Sequence, residues 1–222
     1  MSYTSQKDEI VGFGRRLYEE GYASGTGGNL SIRVKNKALI TPSGYCLGCL
    51  DRGSLVVLSK QGDKVEGYAV PSSEYMMHLL VFNKRSDIRA CCHAHPPYAT
   101  ALSLTDQKLR CDIHPEAVLT LGEIAHIKYA PPGTEAVPNE IEKCLKNHDV
   151  FLLKNHGVLT LGRDMREAYY RMETVEHLAK ISYIAKRAGK IDFLEPSEIE
   201  RLKKIRSEYL GKTGDDKKDS IG

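Results

Sequence analysis

The residues with the clearest chemical potential are His93 and His95, which lie two positions apart in a largely apolar run, 89–97. Side chains at positions i and i+2 of a β-strand point to the same face, roughly 6.5–7 Å apart, so two imidazoles spaced in this way can bind one metal ion. A third histidine, His156, follows another apolar run. Pro96 comes directly after His95 and Gly157 directly after His156, so both histidines are expected near strand ends, where a site can open to a ligand.

Glu74 is the candidate fourth ligand. Three imidazole nitrogens and one carboxylate oxygen would satisfy a tetrahedral zinc ion, and the same donors suit manganese or iron if water adds further ligands. The alternative for Glu74 is a helix-stabilising role, because Ser72 or Ser73 is expected to cap a helix with Glu74 in its first turn. His78 has apolar neighbours on that helix and is expected to be a packed core residue, and His177 is likewise expected to be structural.

Three segments combine backbone N–H groups with short polar side chains, which is the chemistry of an anion cradle. Two are turns that contain glycine, and the third is the start of the helix that carries Glu74. Each signal is weak alone, because glycine-rich turns are common. The candidate phosphate-binding segments are the glycine-rich turn that contains Gly28-Asn29, the turn with Ser43-Gly44, and the helix start with Ser72-Ser73.

Composition excludes several classes of protein. The chain has 222 residues, enough for one sizeable core, and its hydrophobic content of 41% is ordinary for a globular protein. A net charge of +3, from 32 basic and 29 acidic residues, gives no broad field that would favour nucleic acid or a membrane surface. No apolar run approaches the ~18–20 residues of a membrane span, and the polar N-terminus does not resemble a secretory signal. We therefore expect a cytoplasmic protein.

Six cysteines without an export signal indicate reduced thiols. Cys46 and Cys49 have the CxxC spacing of a redox pair or of half a zinc site, but no second CxxC accompanies them. We expect all six to be small buried apolar side chains.

Hydrophobic periodicity predicts strands and helices that alternate without a strict βαβ repeat. This pattern favours a single-domain α/β fold, with a mixed, largely antiparallel sheet covered by helices, over residues 1–210. Residues 211–222 are polar and are expected to form a flexible tail. The predicted helices are 6–20, one that starts near Pro71, 97–104, 139–146, one that Asp164 caps, and 196–209. The less regular apolar runs Val118–Leu121 and Ile127–Tyr129 are predicted as short strands.

Five motifs in order resemble the class II aldolase/adducin family, and most closely its fuculose-phosphate aldolase branch. The similarity extends over roughly residues 6–210. The motifs are Thr26-Gly27-Gly28-Asn29-Leu30-Ser31, Thr41-Pro42-Ser43-Gly44, Pro71-Ser72-Ser73-Glu74, His93-Ala94-His95-Pro96 and Asn155-His156-Gly157.

The resemblance implies a three-layer α/β/α subunit in a homotetramer, with active sites between neighbouring subunits. It makes Glu74, His93, His95 and His156 the ligands of a metal, usually zinc, and makes Glu74 the catalytic base as well. The implied reaction is the reversible cleavage of a ketose 1-phosphate, such as L-fuculose 1-phosphate or 5-deoxyribulose 1-phosphate, to dihydroxyacetone phosphate and a short aldehyde. A divalent cation would stabilise the negative charge left when the C3–C4 bond breaks. Tyr209 matches a C-terminal tyrosine that protonates the leaving aldehyde in this branch.

Two departures from the branch pattern concern the aldehyde half of the substrate. Pro115 and Glu116 follow Ile113-His114 where the pattern has a tyrosine, and Pro132 replaces an aromatic residue before Gly133-Thr134. Glu116 could supply an alternative acid or could be a surface carboxylate. A 4-epimerase, decarboxylase or dehydratase with the same metal chemistry therefore remains an alternative. A catalytically inactive adducin-like assembly module is disfavoured, because it would have no reason to keep all four metal-binding residues.

Overall fold

The computed structural model describes residues 3–215, and the side chains of residues 3–208. Eight strands form one sheet in the order β4-β3-β2-β1-β5-β8-β7-β6, and every neighbouring pair is antiparallel except β6 and β7. The predicted mixed, largely antiparallel sheet is confirmed. The strands are β1 Asn29–Val34, β2 Lys37–Ile40, β3 Val56–Leu58, β4 Lys64–Glu66, β5 Ala90–Ala94, β6 Ile124–Ile127, β7 Val150–Leu153 and β8 Gly157–Gly162.

Helices cover both faces of the sheet. They are α1 Thr4–Glu19, α2 Tyr75–Lys84, α3 Pro97–Ser103, α4 Pro115–Leu121, α5 Ala136–Glu142, α6 Met165–Ala188 and α7 Pro196–Asp215. Strand β5 shows the division, because Ala90, Cys92 and Ala94 pack in one cluster with α1, α3, α4, α6 and α7. Cys91 packs in a second cluster with α2 and α5. The side chains of a strand alternate between its faces, so these two cores lie on opposite sides of the sheet and confirm the three-layer architecture.

Most predicted elements are present, and the predicted cap of α6 can be checked directly. The Asp164 side chain accepts a hydrogen bond from the Glu167 N–H and caps α6. Gly21 follows α1 with a φ of 72°, the left-handed conformation that commonly ends a helix. None of the described helices combines the length and the apolar character needed to cross a bilayer.

Several sequence predictions were wrong. The apolar run Val118–Leu121 belongs to helix α4, which begins with a proline at Pro115, a residue well suited to a first helical turn. A four-residue apolar run does not by itself distinguish a strand from one buried face of a short helix. Strand β6 lies at Ile124–Ile127 rather than Ile127–Tyr129, and α5 begins and ends earlier than predicted. Helix α7 continues to Asp215, beyond its predicted end at residue 209.

The cysteines also differ in part from expectation. Cys91, Cys92 and Cys111 are buried, as predicted, but Cys46 and Cys144 are only partly buried and Cys49 is exposed. Cys46 precedes a single turn of 3-10 helix, Leu47–Cys49, and Cys49 ends it; the turn packs against α1 through Leu47. Because the turn buries Leu47 rather than the thiols, the two cysteines do not act as core side chains.

Candidate metal centre

Strand β5 and the turn between β7 and β8 bring the three candidate histidines together. His93 lies in β5, opposite Asn29 of β1 and Leu159 of β8, and its side chain is completely buried. His95 follows β5, and its N–H donates to the Tyr22 carbonyl at 2.9 Å. His156 lies in the β7–β8 turn, after Asn155, whose positive φ of 56° reverses the chain. The hairpin that joins β7 and β8 therefore returns His156 to the end of β5.

One nitrogen from each imidazole converges on a common point. A ligand atom from each of His93, His95 and His156 lies within 4.8 Å of the other two. The carboxylate of Glu74 approaches the same point, with Oε2 at 3.2 Å from His93 Nε2 and Oε1 at 3.3 Å from His156 Nε2. Glu74 occupies the residue before α2, not its first turn as predicted, and its N–H approaches Ser72 Oγ at 3.3 Å.

The polar atoms at this point lack hydrogen-bond partners. Among the residues that the structure describes, none makes a hydrogen bond to His93 Nε2, His95 Nε2 or Glu74 Oε1, and all three atoms are buried. Burying an unpaired polar atom is costly, so three of them facing one point fit a group that accepts lone pairs. Three nitrogens and one oxygen fit a divalent cation such as zinc.

The hydrogen bonding and the pKa values of the histidines favour metal binding. His93 Nδ1 lies 2.9 Å from the Val158 carbonyl, which assigns the ring proton to Nδ1 and leaves Nε2 free to bind. Burial is the main cause that lowers the pKa of His95 to about 3 and of His156 to about 4. Both rings are therefore neutral near pH 7, the form that binds metals. Burial alone would raise the pKa of Glu74, but His93, His156 and Asn29 hold it well below its usual range.

Glycines allow the backbone to pack closely on His95. A Cβ at Gly157 would lie 2.5 Å from His95 Cδ2 and 2.6 Å from the Ala94 carbonyl oxygen, and one at Gly27 would lie 2.9 Å from His95 Nδ1. Gly28 has a φ of 80°, and a Cβ there would meet the His93 carbonyl oxygen at 2.9 Å. The glycines of two sequence motifs thus fix the positions of the ligands.

The serine-rich segments lie side by side. Pro42 and Pro71 form an isolated β-bridge, and the Ser72 N–H donates to the Thr41 carbonyl at 3.1 Å. These contacts bring the segment with Ser43 and Gly44 next to the segment with Ser72 and Ser73. Of these four residues, only Ser72 is buried.

Asn29, predicted as a phosphate ligand, has a different environment. Its side chain is buried, and Nδ2 donates to Glu74 Oε2 at 2.9 Å. The second amide atom, Oδ1, lies 2.5 Å from His78 Nε2. Any contact of Asn29 with a phosphate would therefore have to come from its backbone. His78 is buried as predicted, but sequence reasoning missed its contact with Asn29, because packing and polar roles give the same apolar pattern on a helix.

The structure does not bring Glu116 to this centre within the subunit. Glu116 lies on α4, in the helix layer on the opposite face of the sheet from α2, and its side chain is 76% exposed. Its carboxylate pairs with His114 Nε2 at 2.9 Å and lines a cleft of about 220 Å³ with the exposed His177. The side chain of Tyr209 lies outside the described residues.

Comparison with known proteins agrees with this site. The profile of the family described as "Class II Aldolase and Adducin N-terminal domain" matches residues 8–183. A Methanococcus maripaludis protein named L-fuculose phosphate aldolase is 38% identical over 176 residues, 79% of this chain and 95% of that protein. A Haemophilus influenzae protein named 3-oxo-tetronate 4-phosphate decarboxylase is 34% identical over 207 residues, 91% of this chain and 98% of that protein.

Similarity to solved structures extends over the same region. A structure titled L-fuculose 1-phosphate aldolase has a TM-score of 0.86 and 34% identity, and the match covers 92% of this chain and 97% of that one. The motifs, the sheet with its four converging ligand residues and these matches agree with one another. This chain belongs to the class II aldolase and adducin N-terminal domain family.

Proposed function

We propose that this protein is a metal-dependent aldolase that cleaves a ketose 1-phosphate to dihydroxyacetone phosphate and a short aldehyde. L-Fuculose 1-phosphate and 5-deoxyribulose 1-phosphate are the proposed substrates. The observation that carries the proposal is the convergence of three buried, unpaired donor atoms from His93, His95 and Glu74 beside His156. Family membership and the similarity to proteins named fuculose phosphate aldolase support it.

The residues of the centre have separate proposed roles. His93, His95, His156 and Glu74 would hold a divalent cation, zinc by preference or manganese. The cation supplies positive charge that stabilises negative charge developing on substrate oxygens. Glu74 is ionised, and its Oε1 has no hydrogen-bond partner, so this oxygen is the proposed base that accepts the C3 proton in the condensation direction.

The phosphate is proposed to bind at the paired segments that carry Ser43, Gly44, Ser72 and Ser73, with the Gly28-Asn29 backbone completing the site. Short hydroxyl side chains and backbone N–H groups suit a phosphate dianion without requiring a lysine or arginine. The acid that protonates the aldehyde oxygen is proposed to come from a neighbouring subunit, from Tyr209 or Glu116. This assignment requires a homotetramer with active sites between subunits, and we propose that this assembly works in the cytoplasm.

Decarboxylation of a 3-oxo-tetronate 4-phosphate is the second candidate. The Haemophilus influenzae decarboxylase aligns with 91% of this chain, whereas the Methanococcus maripaludis aldolase aligns with 79%. The departures at Pro115, Glu116 and Pro132 affect the part of the site proposed for the aldehyde. A decarboxylase would release the carboxyl group as CO2 rather than a second carbonyl fragment.

Product analysis separates the two candidates. Zinc- or manganese-loaded protein is incubated with each ketose 1-phosphate, and dihydroxyacetone phosphate is measured by its enzymatic reduction. A parallel reaction with 3-oxo-tetronate 4-phosphate is measured by CO2 release. We expect dihydroxyacetone phosphate from at least one ketose phosphate. Release of CO2 from 3-oxo-tetronate 4-phosphate, with no dihydroxyacetone phosphate formed from either ketose 1-phosphate, would instead establish the decarboxylase.

Glu74→Gln tests the proposed base. The glutamine keeps an oxygen ligand and most of the side-chain volume but loses the proton-accepting carboxylate. General base catalysis typically contributes 10²–10⁴-fold, so we expect the turnover rate to fall by about that factor while much of the bound metal is retained. His95→Ala is the matched comparison, because it should lose the metal itself. Equal turnover in Glu74→Gln and the parent would refute the base assignment.

A further inference from the structure

His78 is connected to Glu74 through Asn29, and both ring nitrogens of His78 make hydrogen-bond contacts. It is fully buried on α2, with Nδ1 at 2.7 Å from Ser31 Oγ and Nε2 at 2.5 Å from Asn29 Oδ1. Asn29 in turn contacts the carboxylate of Glu74. A continuous series of hydrogen bonds therefore runs from β1 through α2 to a candidate metal ligand.

The chemistry of the groups fixes the direction of every bond in the series. An ionised carboxylate only accepts hydrogen bonds, so the NH2 group of Asn29 must face Glu74 and the amide oxygen must face His78. That oxygen requires a donor, which assigns the proton of His78 to Nε2. Nδ1 is then an acceptor, and the Ser31 hydroxyl donates to it.

The opposite tautomer would disrupt the centre. With its proton on Nδ1, His78 would donate to Ser31 and would present a lone pair at Nε2 to Asn29. The Asn29 amide would then turn its NH2 group toward His78 and its oxygen toward Glu74 Oε2, which is also an acceptor. Two acceptors 2.9 Å apart repel each other, so only one tautomer of His78 is compatible with the observed contact.

We propose that His78 is a positioning residue for Glu74, and that its neutral Nε2–H tautomer orients the Asn29 amide so that Glu74 Oε2 is held and Oε1 is left free. The effect on catalysis rests on the proposed function, in which Glu74 Oε1 is the base. The orientation itself does not, because it follows from the contacts among Ser31, His78, Asn29 and Glu74.

Two further observations support this role. Burial lowers the pKa of His78 to about 3, so the ring is neutral at physiological pH. The two oxygens of Glu74 also differ as the proposal requires. Oε2 has the hydrogen bond from Asn29, whereas Oε1 is buried without a partner.

Nitrogen-15 NMR of histidine-labelled protein tests the orientation without any catalytic assay. Protein freed of metal and protein loaded with zinc are compared, and the His78 signals are assigned by their loss in the His78→Gln variant. We expect a protonated Nε2 and an unprotonated Nδ1 for His78 in both states. A protonated Nδ1 would overturn the proposal, whatever reaction the protein catalyses.

Kinetics of two substitutions test the consequence for Glu74. His78→Phe keeps a ring but removes both hydrogen bonds, whereas His78→Gln retains an N–H that can reach Asn29. We expect His78→Phe to lower kcat for proton exchange at C3 of dihydroxyacetone phosphate by about 10- to 100-fold, with KM and bound zinc nearly unchanged. His78→Gln should restore most of kcat.

Val81→Ala is the matched control, because Val81 is buried on the same helix and packs in the apolar cluster beside the sheet. It should reduce thermal stability and leave kcat unchanged. Parental kcat in His78→Phe, or an equal loss of kcat in Val81→Ala, would overturn the positioning role. Absence of exchange in the zinc-loaded parent would refute the proposed aldolase, and the tautomer measurement would still decide the orientation.

Discussion

Replacing Gly157 with alanine should impair metal binding without touching a ligand. Its backbone is not in the left-handed region, so alanine introduces no conformational strain and the effect is steric. The new Cβ would lie 2.5 Å from His95 Cδ2, although ordinary contact begins at 3.4 Å, and it would also meet the backbone carbonyl oxygen of Ala94 at 2.6 Å. The ring must therefore retreat by roughly 1 Å, whereas metal–ligand distances in proteins tolerate only about 0.2 Å.

We expect Gly157→Ala to weaken zinc affinity at least about 10- to 100-fold, the range seen when the support of a ligand is lost. Overpacking should also cost about 1–3 kcal/mol of stability in the metal-free protein. Affinity is measured by competition with a chromophoric chelator, and stability by urea unfolding. Gly12→Ala is the control, because Gly12 is an exposed position in α1 with open space around it. Gly12→Ala should raise the free energy of unfolding by up to about 1 kcal/mol and should bind zinc as tightly as the parent. Parental zinc affinity in Gly157→Ala would refute the packing argument.

Three further changes test the supports around the centre. Glu176→Gln should destabilise the protein by about 1.5–3 kcal/mol in thermal unfolding. The buried carboxylate of Glu176 accepts two backbone N–H hydrogen bonds at the start of α3, both at 2.9 Å. An unchanged Tm would contradict this prediction. Asp149→Asn should cost about 3–5 kcal/mol in urea unfolding, since it removes the partner of three arginines, whereas Asp106→Asn at an exposed pair should cost under about 0.5 kcal/mol. For His78, the folded pKa is depressed to about 3, so only the unfolded chain binds its proton as pH falls below about 6.5. Protonation of His78 in the unfolded chain should therefore lower the free energy of unfolding of the metal-free protein by about 1.4 kcal/mol at pH 5.5. The His78→Gln variant should show a smaller decrease over the same pH range.

The candidate ligands that converge in the structure could be picked out from the sequence, because each belongs to a short, ordered local pattern. His93 and His95 lie on one strand with a spacing of two, and a breaker follows His95 and His156 in turn. Strand ends and glycine turns are encoded locally, so their chemistry can be read without tertiary contacts. The sheet could be predicted for the same reason, since its strands are short apolar runs between turn residues.

Other features depend on contacts between distant segments. The side-chain contacts of Asn29 were not predicted, because its partners Glu74 and His78 lie 45 and 49 residues away in the sequence and no local pattern specifies them. The run at Val118 was wrongly predicted as a strand. It lies in a helix whose buried face is defined by contacts with α6 and α7, which are distant in the sequence. The exposure of Cys49 likewise follows from the orientation of one turn against α1. Long-range packing, rather than local propensity, decided all three.

Proton exchange at C3 of dihydroxyacetone phosphate in D2O tests the central claim most directly, because it reports the half-reaction without requiring the correct aldehyde. Zinc- or manganese-loaded parent protein and Glu74→Gln are compared by NMR, with bound metal measured in both. We predict metal-dependent exchange in the parent that is lost in Glu74→Gln. No exchange from parent protein with a full complement of metal would contradict the proposal that this centre is an aldolase active site.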